Sequence, residues 1–298
     1  MILLAGGTGN LGRRVVRLLA ARGLPVRVLT RDPARAADLA DAGVEVATGD
    51  VRDPAAVARA MVGAQTVISA IQGFSGTGGD SPETVDHAGN GVLMRAAREA
   101  GAGHFILVSV QGAALDHPLD LFRAKYRAEQ ALRASGLAWT ILRPTASMET
   151  WAQLVGKPLI ETGRTRLFGR GENPINFVAA DDVARFVELA VVDPALRGQV
   201  VEVGGPENLT MRQVAQTFQA VTGQAGKVSH VPLPAMRALA VLLRPLNATI
   251  ARQIQAGVVM DTCDMTFDSA ETARRYPAIV PTPLATVVAR DFGPAARG

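Results

Sequence analysis

The sequence predicts a doubly wound parallel-sheet Rossmann fold of the α/β class, with a smaller C-terminal α+β substrate lobe. Short apolar runs alternate with helical patterns, a glycine-rich turn follows the first run, and the alternation stops after Pro144. We therefore expect a dinucleotide-binding domain over 1–144 and a substrate lobe over 145–298. Parts of that lobe, such as 177–203, are expected to pack back on the Rossmann sheet.

The N-terminal part holds six short apolar runs that predict strands. They are Ile2–Ala5, Val26–Thr30, Val44–Thr48, Thr66–Ile71, His104–Ser109 and Trp139–Leu142. Five stretches rich in Ala, Leu, Arg and Glu separate them and predict helices. These are Leu11–Ala21, Ala34–Ala42, Ala55–Met61, Pro82–Ala100 and Phe122–Ala134. Strands of this length joined by helices indicate βαβ units and a parallel sheet.

Three of these helical patterns carry a start signal. Asp32-Pro33, Asp53-Pro54 and Ser81-Pro82 each place a side chain that can cap a helix before a proline suited to its first turn. The C-terminal half shows fewer signals. We predict a strand at Ile175–Val178, a helix to about Val192, a strand at Val200–Val203, a helix capped by Thr210, and helices at Ala235–Leu243 and Ala248–Ala256.

Composition excludes several classes of protein. The 298 residues are 48% hydrophobic and 19% charged, which is typical of a globular protein rather than a disordered chain. The net charge of +4 is scattered, so no basic run indicates a nucleic-acid partner. The single cysteine, Cys263, cannot form an internal disulfide. No signal peptide and no apolar run of about 20 residues is present, so we expect a cytoplasmic protein without membrane insertion.

The glycine-rich turn Gly6–Gly12 lies between the first strand and the first helix. In this context glycines let the backbone approach a pyrophosphate, which then lies at the positive end of the helix. A tight turn without a ligand is the alternative. The residues expected to bind the cofactor here are Gly6, Thr8, Gly9, Asn10, Leu11, Gly12 and Arg13.

The end of the second strand indicates which dinucleotide is bound. An NAD-binding domain usually places an acidic residue there, on the ribose hydroxyls. Here Asp32 is explained as a helix cap, and Arg31 is left at the strand tip, where its guanidinium can bind a 2′-phosphate. Arg13 could add to this contact. We predict NADP(H), with a solvated Arg31 as the alternative.

These motifs together resemble the atypical short-chain dehydrogenases of the NmrA-like family, over roughly residues 2–210. The matching segments are Gly6–Arg13, Thr30–Pro33, Val46–Asp53, Val67–Gln72, His104–Ser109, Ser135–Pro144, Phe177–Ala184 and Val203–Glu207. The resemblance implies a doubly wound fold with a small substrate lobe. The further cofactor contacts that it implies are Asp50, Val51, Ala70, Ile71, Lys125 and Pro144.

The chain departs from the wider family at its catalytic tyrosine. Dehydrogenases of that family place a tyrosine four residues before a lysine, which puts both on one helix face. Aligned through Lys125, the tyrosine position here is Leu121, which cannot transfer a proton. Lys125, one of three lysines in the chain, is our catalytic candidate together with Ser109. The alternatives are a solvated helix lysine and a strand-end serine.

Two residues after the sixth strand, Met148 and Trp151, are expected to line the substrate pocket, although core packing explains them almost as well. No histidine or cysteine has metal-ligand spacing, so no metal is expected. The sequence favours an NADPH-dependent oxidoreductase that reduces a small, partly apolar carbonyl, enone or quinone, acting as a monomer or homodimer. The alternative is a non-catalytic NADP(H)-binding redox sensor or accessory subunit with a protein partner. A sugar-nucleotide epimerase is disfavoured because it needs the missing tyrosine.

Overall fold

The computed structural model describes residues 1–76 and 79–293. The chain divides into two compact units, the first formed by Met1–Pro144 with Val183–Glu202, the second by Thr145–Asp182 with the residues from Val203 on. No helix of the described residues is long and apolar enough to cross a membrane.

The first unit is built on a seven-stranded sheet. Its strands are β1 (Ile2–Ala5), β2 (Val26–Thr30), β3 (Glu45–Thr48), β4 (Thr66–Ser69), β5 (His104–Val108), β6 (Trp139–Pro144) and β10 (Gln199–Val203), in the order β10-β6-β5-β4-β1-β2-β3. Strands β1 to β6 pair in parallel, and the chain reverses its direction of winding between β1 and β4. The predicted Rossmann-type α/β fold class is therefore confirmed.

Helices connect these strands. They are α1 (Asn10–Ala21), a 3₁₀ turn (Pro33–Ala36) with α2 (Ala37–Asp41), α3 (Pro54–Met61), a π-helix (Pro82–Gly89) with α4 (Asn90–Glu99), and α5 (Asp120–Arg133). Asp32, Asp53 and Ser81 each accept a hydrogen bond from a backbone amide of the first turn that follows, so the three predicted caps are confirmed. Ser81 and Thr84 form a reciprocal capping box.

The second unit contains short strands and most of the remaining helices. The strands are β7 (Ala146–Ser147), β8 (Arg164–Phe168), β9 (Ile175–Val178), β11 (Asn208–Leu209) and β12 (Lys227–Val231). They form a three-stranded sheet, β11-β9-β7, and a separate parallel pair, β8 with β12. The helices after β7 are α6 (Met148–Trp151), a π-helix (Ala152–Gly156), α7 (Lys157–Thr162), α8 (Ala180–Val192), a 3₁₀ turn (Pro194–Leu196), α9 (Met211–Thr222), α10 (Leu233–Leu243), α11 (Ala248–Thr262), α12 (Ala270–Arg275) and α13 (Leu284–Phe292). Of these, α8 from Val183 on and the 3₁₀ turn belong to the first unit.

Each unit has its own apolar core. In the first, Leu3 and Phe105 from the sheet pack with Leu93 of α4, all three fully buried. In the second, Phe177 of β9 and Phe218 of α9 are the largest buried side chains. Burying a side chain of this size contributes roughly 1.5–3 kcal/mol. These cores hold the strand ends at fixed positions, which matters for the loops that follow them.

Candidate cofactor and active site

The reversal between β1 and β4 opens a crevice at the carboxyl ends of the strands, which is where open α/β sheets bind their ligands. The glycine-rich turn follows β1 at this edge, and Ala70 and Ile71 follow β4. The Ala70 amide donates to the Ala5 carbonyl, with an N–O distance of 2.9 Å, so the two loops start side by side.

The glycine-rich turn leaves no room for side chains at its two ends. Gly6 has φ of 89°, and a Cβ atom there would lie 2.5 Å from the Ala70 carbonyl oxygen. A Cβ on Gly12 would lie 2.2 Å from the Gly6 carbonyl oxygen. The turn therefore keeps its backbone close to the start of α1 and to the loop after β4, as close approach of a pyrophosphate requires.

The N-terminus of α1 points into the same turn. Gly9 is its N-cap, no side-chain bond from the described residues caps it, and its first turn holds no acidic residue. Asn10 and Leu11 are its first two residues, and Thr8 lies half-buried on the turn before it. The amides at such a helix start bind anions, and the helix has 12 residues to support the dipole. The residues present thus fit a dinucleotide pyrophosphate.

A cluster of two arginines and two aspartates lies at the ends of β2 and β3. Arg31 Nη1 donates to both carboxylate oxygens of Asp80, at 2.9 and 2.8 Å. Arg52 lies 3.1 Å from Asp80 and donates to Asp50 at 2.6 Å. The bond from Arg52 is the main reason why the pKa of Asp50 is lowered. The two positive and two negative charges of the cluster balance. Asp80 binds the Arg31 guanidinium, which the sequence predicts to bind a phosphate.

Two other predicted cofactor contacts lie at or near these strand ends. Val51 is half-buried against the core of the first unit, and Pro144 ends β6, where its carbonyl accepts from Gln111. Arg13 points elsewhere: it binds the Asp38 carboxylate and the Arg35 carbonyl. In the structure Arg13 does not join Arg31.

Lys125 of α5 is buried, with 3% of its surface exposed, so it is not the solvated lysine of the alternative reading. Its Nζ donates to the carbonyls of Ile71 and Val108, at 2.9 and 3.0 Å. The same atom lies 2.9 Å from Oδ1 of the fully buried Asp86. The direction of approach makes this last contact an ion pair rather than a hydrogen bond, so Asp86 Oδ1 has no hydrogen-bond donor among the described residues.

This arrangement ties together the ends of two neighbouring strands. Ile71 follows β4 and Val108 ends β5, while Asp86 Oδ2 accepts from the amide of Gly73 at 2.8 Å. An ammonium group has three N–H donors, and three oxygens surround this one. Lys125 therefore positions the loops after β4 and β5, and because its contact with Asp86 is an ion pair rather than a hydrogen bond, one N–H group remains for a ligand.

Ser109 follows β5 and belongs to a second buried network. Its hydroxyl donates to Glu129 of α5 at 2.5 Å, and Arg143 of β6 donates to both oxygens of Glu129, at 2.9 and 2.6 Å. The bond to Glu129 raises the pKa of Arg143, which stays charged. While its hydroxyl donates to Glu129, the Ser109 oxygen can still accept a hydrogen bond from a ligand.

The two predicted substrate residues differ in their surroundings. Met148 is fully buried in the core of the second unit. Trp151 lines a recess that is open to solvent within the same unit. Its other walls include Phe168, Met211 and Met260. Trp151 is thus accessible from this recess, whereas Met148 lies in the apolar core.

Sequence reasoning missed three polar residues of this edge of the sheet, Asp80, Asp86 and Glu129. Asp86 lies on the buried face of the π-helix with Val85 and Gly89, and an acidic residue on the apolar face of a helical pattern is the signal that could have found it. Glu129 follows Lys125 by four residues on the same helix, where the spacing alone resembles a surface ion pair. Over the described ranges, no group of three or more histidine, cysteine or carboxylate side chains could hold a metal ion.

Comparison with known proteins agrees with this geometry. A family model described as NAD(P)H-binding matches residues 6–194. Over 225 residues, the chain is 32% identical to an NAD(P)H azoreductase from Xenophilus azovorans, an alignment that covers 75% of this chain and 74% of the azoreductase. It is also 28% identical to the photosystem II assembly factor Ycf39 of Synechocystis, with 79% and 72% covered.

The fold has solved counterparts. An NADPH-dependent quinone oxidoreductase from Escherichia coli, crystallised with NADPH, superimposes with a TM-score of 0.78. The superposition covers 98% of this chain and all of the oxidoreductase, at 23% identity. At this identity the likeness supports the fold.

Proposed function

The chain belongs to the NAD(P)H-binding family of atypical short-chain dehydrogenases, and from this premise we propose that it is an NADPH-dependent reductase of small, partly apolar organic molecules. The single observation that carries the proposal is the turn Gly6–Gly12, in which no side chain fits at either end and the start of α1 faces the crevice. The related azoreductase from Xenophilus azovorans is named for its use of NAD(P)H, the same class of cofactor.

NADPH rather than NADH is proposed because of Arg31. The guanidinium stands directly after β2, where the adenosine ribose of a Rossmann domain is bound. Asp80 bonds to it through both carboxylate oxygens, the geometry in which arginine also binds phosphate. A 2′-phosphate would replace Asp80 on Arg31, with Arg52 close by to keep Asp80 paired.

A reduced nicotinamide supplies a hydride to the substrate when it is bound. We propose that Lys125 and Ser109 serve that reaction from the ends of β4 and β5. Lys125 holds the two loops, and its remaining N–H group can bind a ribose hydroxyl. Ser109 can donate a hydrogen bond to the substrate oxygen when its hydroxyl turns away from Glu129, which Arg143 keeps paired. Leu121, at the position of the family's tyrosine, is buried and supplies no proton.

For the substrate we propose carbonyl, enone or quinone compounds, which take up the hydride together with a proton from the Lys125 ammonium group or from water. Trp151, on the recess of the second unit, is the proposed contact for the apolar part of such a molecule. An aromatic wall binds flat conjugated molecules through stacking and burial of apolar area.

A second function has its own support. Leu121 removes the usual proton donor, and Ycf39, a relative over most of the chain, is an assembly factor. A non-catalytic NADP(H)-binding accessory protein would retain the cofactor turn and lack turnover. Such a protein should capture a partner in only one redox state of the cofactor.

The test is oxidation of NADPH by the purified chain with a panel of quinones, enones and azo compounds. We expect turnover with at least one member, faster with NADPH than with NADH, and none in Gly12→Ala. Ser109→Ala should lower kcat by a factor of about 10² to 10⁴ if the hydroxyl orients the substrate in the transition state. Tight NADPH binding without turnover across the panel would reject the reductase and favour the accessory protein.

A further inference from the structure

The second unit carries an apolar surface that the proposed reductase site does not use. Helices α10 and α11 pack on each other as a hairpin, and the apolar side chains near its tip face outward. Of the eleven large apolar side chains that are strongly exposed in the described chain, five lie within the twelve residues from Leu239 to Ile250. They are Leu239 (43%), Val241 (73%), Leu242 (67%), Leu246 (81%) and Ile250 (43%). A patch of this density normally marks an interaction site.

The helix that carries most of the patch is apolar around its circumference. In α10 only Met236 and Ala240 are buried. Gly257 of α11 lets Met236 approach, because a Cβ at this position would lie 2.9 Å from the methionine's Cε. The hairpin is thus anchored along one side, and most of the rest of α10 is exposed. A helix that is apolar all round is ordinarily buried.

The chain segment that carries the patch is basic. Residues 208–260 contain five arginines and lysines and not one aspartate or glutamate. Arg237 and Arg244 are exposed beside the apolar tip and make no ion pair with any described residue. The surface is therefore complementary to an extended anionic partner.

We infer that the α10–α11 hairpin docks on the surface of an anionic lipid bilayer. Apolar residues next to arginines are typical of helices that lie in a membrane interface, with the apolar side chains in the acyl boundary and the arginines at the headgroups. At 11 residues, α10 is about half the length that spans a bilayer, so it lies in the interface plane. This docking is independent of the proposed reductase chemistry.

A second copy of the chain fits the surface less well. A two-fold contact would place the same patch against itself and bring the arginines of both copies together without a carboxylate between them. Like charges opposed in an interface disfavour association. An anionic bilayer supplies the missing negative charge over the whole patch.

The test is sedimentation of the full chain with vesicles, either pure phosphatidylcholine or equal parts of phosphatidylcholine and phosphatidylglycerol. We expect binding to the anionic vesicles only. The variant Leu242→Glu/Leu246→Glu should lose at least tenfold in vesicle affinity. Val62→Glu/Leu115→Glu, two equally exposed positions of the first unit, should bind like the unmodified chain. Neutralising Arg237 or Arg244 with glutamine should weaken binding about fivefold each.

Two further measurements separate docking from other outcomes. NADPH binding must be the same in all variants, which shows that they are folded. A tryptophan placed at Leu246 should shift its emission to shorter wavelength with anionic vesicles, measured against the unmodified chain. The inference is overturned if anionic vesicles bind nothing at low salt, or bind Leu242→Glu/Leu246→Glu undiminished. It is equally overturned if that variant turns a dimer into a monomer in sedimentation velocity.

Discussion

Replacing Lys125 with methionine is the perturbation that most directly tests the buried network at the strand ends. Methionine keeps the length and the apolar stem of the side chain and removes the ammonium group. The substitution leaves Asp86, which is fully buried, without its counter-charge, and leaves the carbonyls of Ile71 and Val108 without this donor. It therefore separates the role of the charge from that of packing.

The expected cost follows from these contacts. Breaking a buried ion pair by removing one partner costs about 3–5 kcal/mol, because the remaining charge stays buried. The free energy of unfolding of a typical domain is about 5–15 kcal/mol, so the first unit should lose a large share of its stability. The double variant Lys125→Met/Asp86→Asn should lose less than Lys125→Met alone, because it buries no unpaired charge.

The assay is urea unfolding followed by circular dichroism, with Lys157→Met as the matched control. Lys157 is half-exposed and lies 3.6 Å from Glu161 on the helix surface, so its loss should cost less than about 0.5 kcal/mol. If the free energies of unfolding of Lys125→Met and Lys157→Met agree within about 0.5 kcal/mol, the buried pair does not hold the strand ends and the reasoning is wrong.

Three further outcomes are expected. Gly6→Ala should abolish NADPH binding in calorimetry while Gly23→Ala, at similar positive φ but with open space around it, retains that binding; equal behaviour would contradict the close approach of the turn. Burial lowers the pKa of His104 to about 4, so between pH 6.5 and 4 the unfolded chain binds a proton that the folded chain does not, and stability should fall as the pH falls. Urea titrations across this window should show a loss of up to about 3 kcal/mol that His104→Gln removes; an unchanged slope in the variant would refute this origin. Asp80→Asn frees Arg31 and adds about one unit of positive charge, so NADPH should bind about fivefold more tightly while NADH is unaffected; weaker NADPH binding would show that Asp80 supports the site.

The regular part of the fold could be predicted because each βαβ unit carries local signals. The predicted strands Ile2–Ala5 and Val26–Thr30 match the observed bounds, and the three aspartate and serine caps were set by the prolines that follow them. The predicted helix Pro82–Ala100 begins correctly, but its first half is a π-helix. Periodicity does not distinguish the two, because the difference lies in where each backbone amide finds its acceptor.

The second unit was harder to predict because its elements depend on distant partners. Strand β8 lies in a basic stretch and pairs with β12 about 60 residues later, so neither segment carries its own strand signal. Helix α13 was missed for the same reason: its apolar face is buried against α9.

The candidate site likewise has a part that could be predicted from local sequence and a part that depends on distant residues. The glycine turn is visible in the sequence because each glycine has a steric reason. The partners of Lys125 and Arg31 are not, because Asp86 and Asp80 come from a separate connection whose position only the folded sheet determines. Sequence reasoning thus identified the basic groups and left their counter-charges open.

Calorimetric titration of the purified chain with NADPH is the most direct test of the central claim, that the turn after β1 binds the dinucleotide. We predict one NADPH per chain, weaker binding of NADH, and no binding by Gly12→Ala, in which a Cβ would meet the Gly6 carbonyl. Binding of neither dinucleotide by the folded, unmodified chain would contradict the account, and so would undiminished NADPH binding by Gly12→Ala.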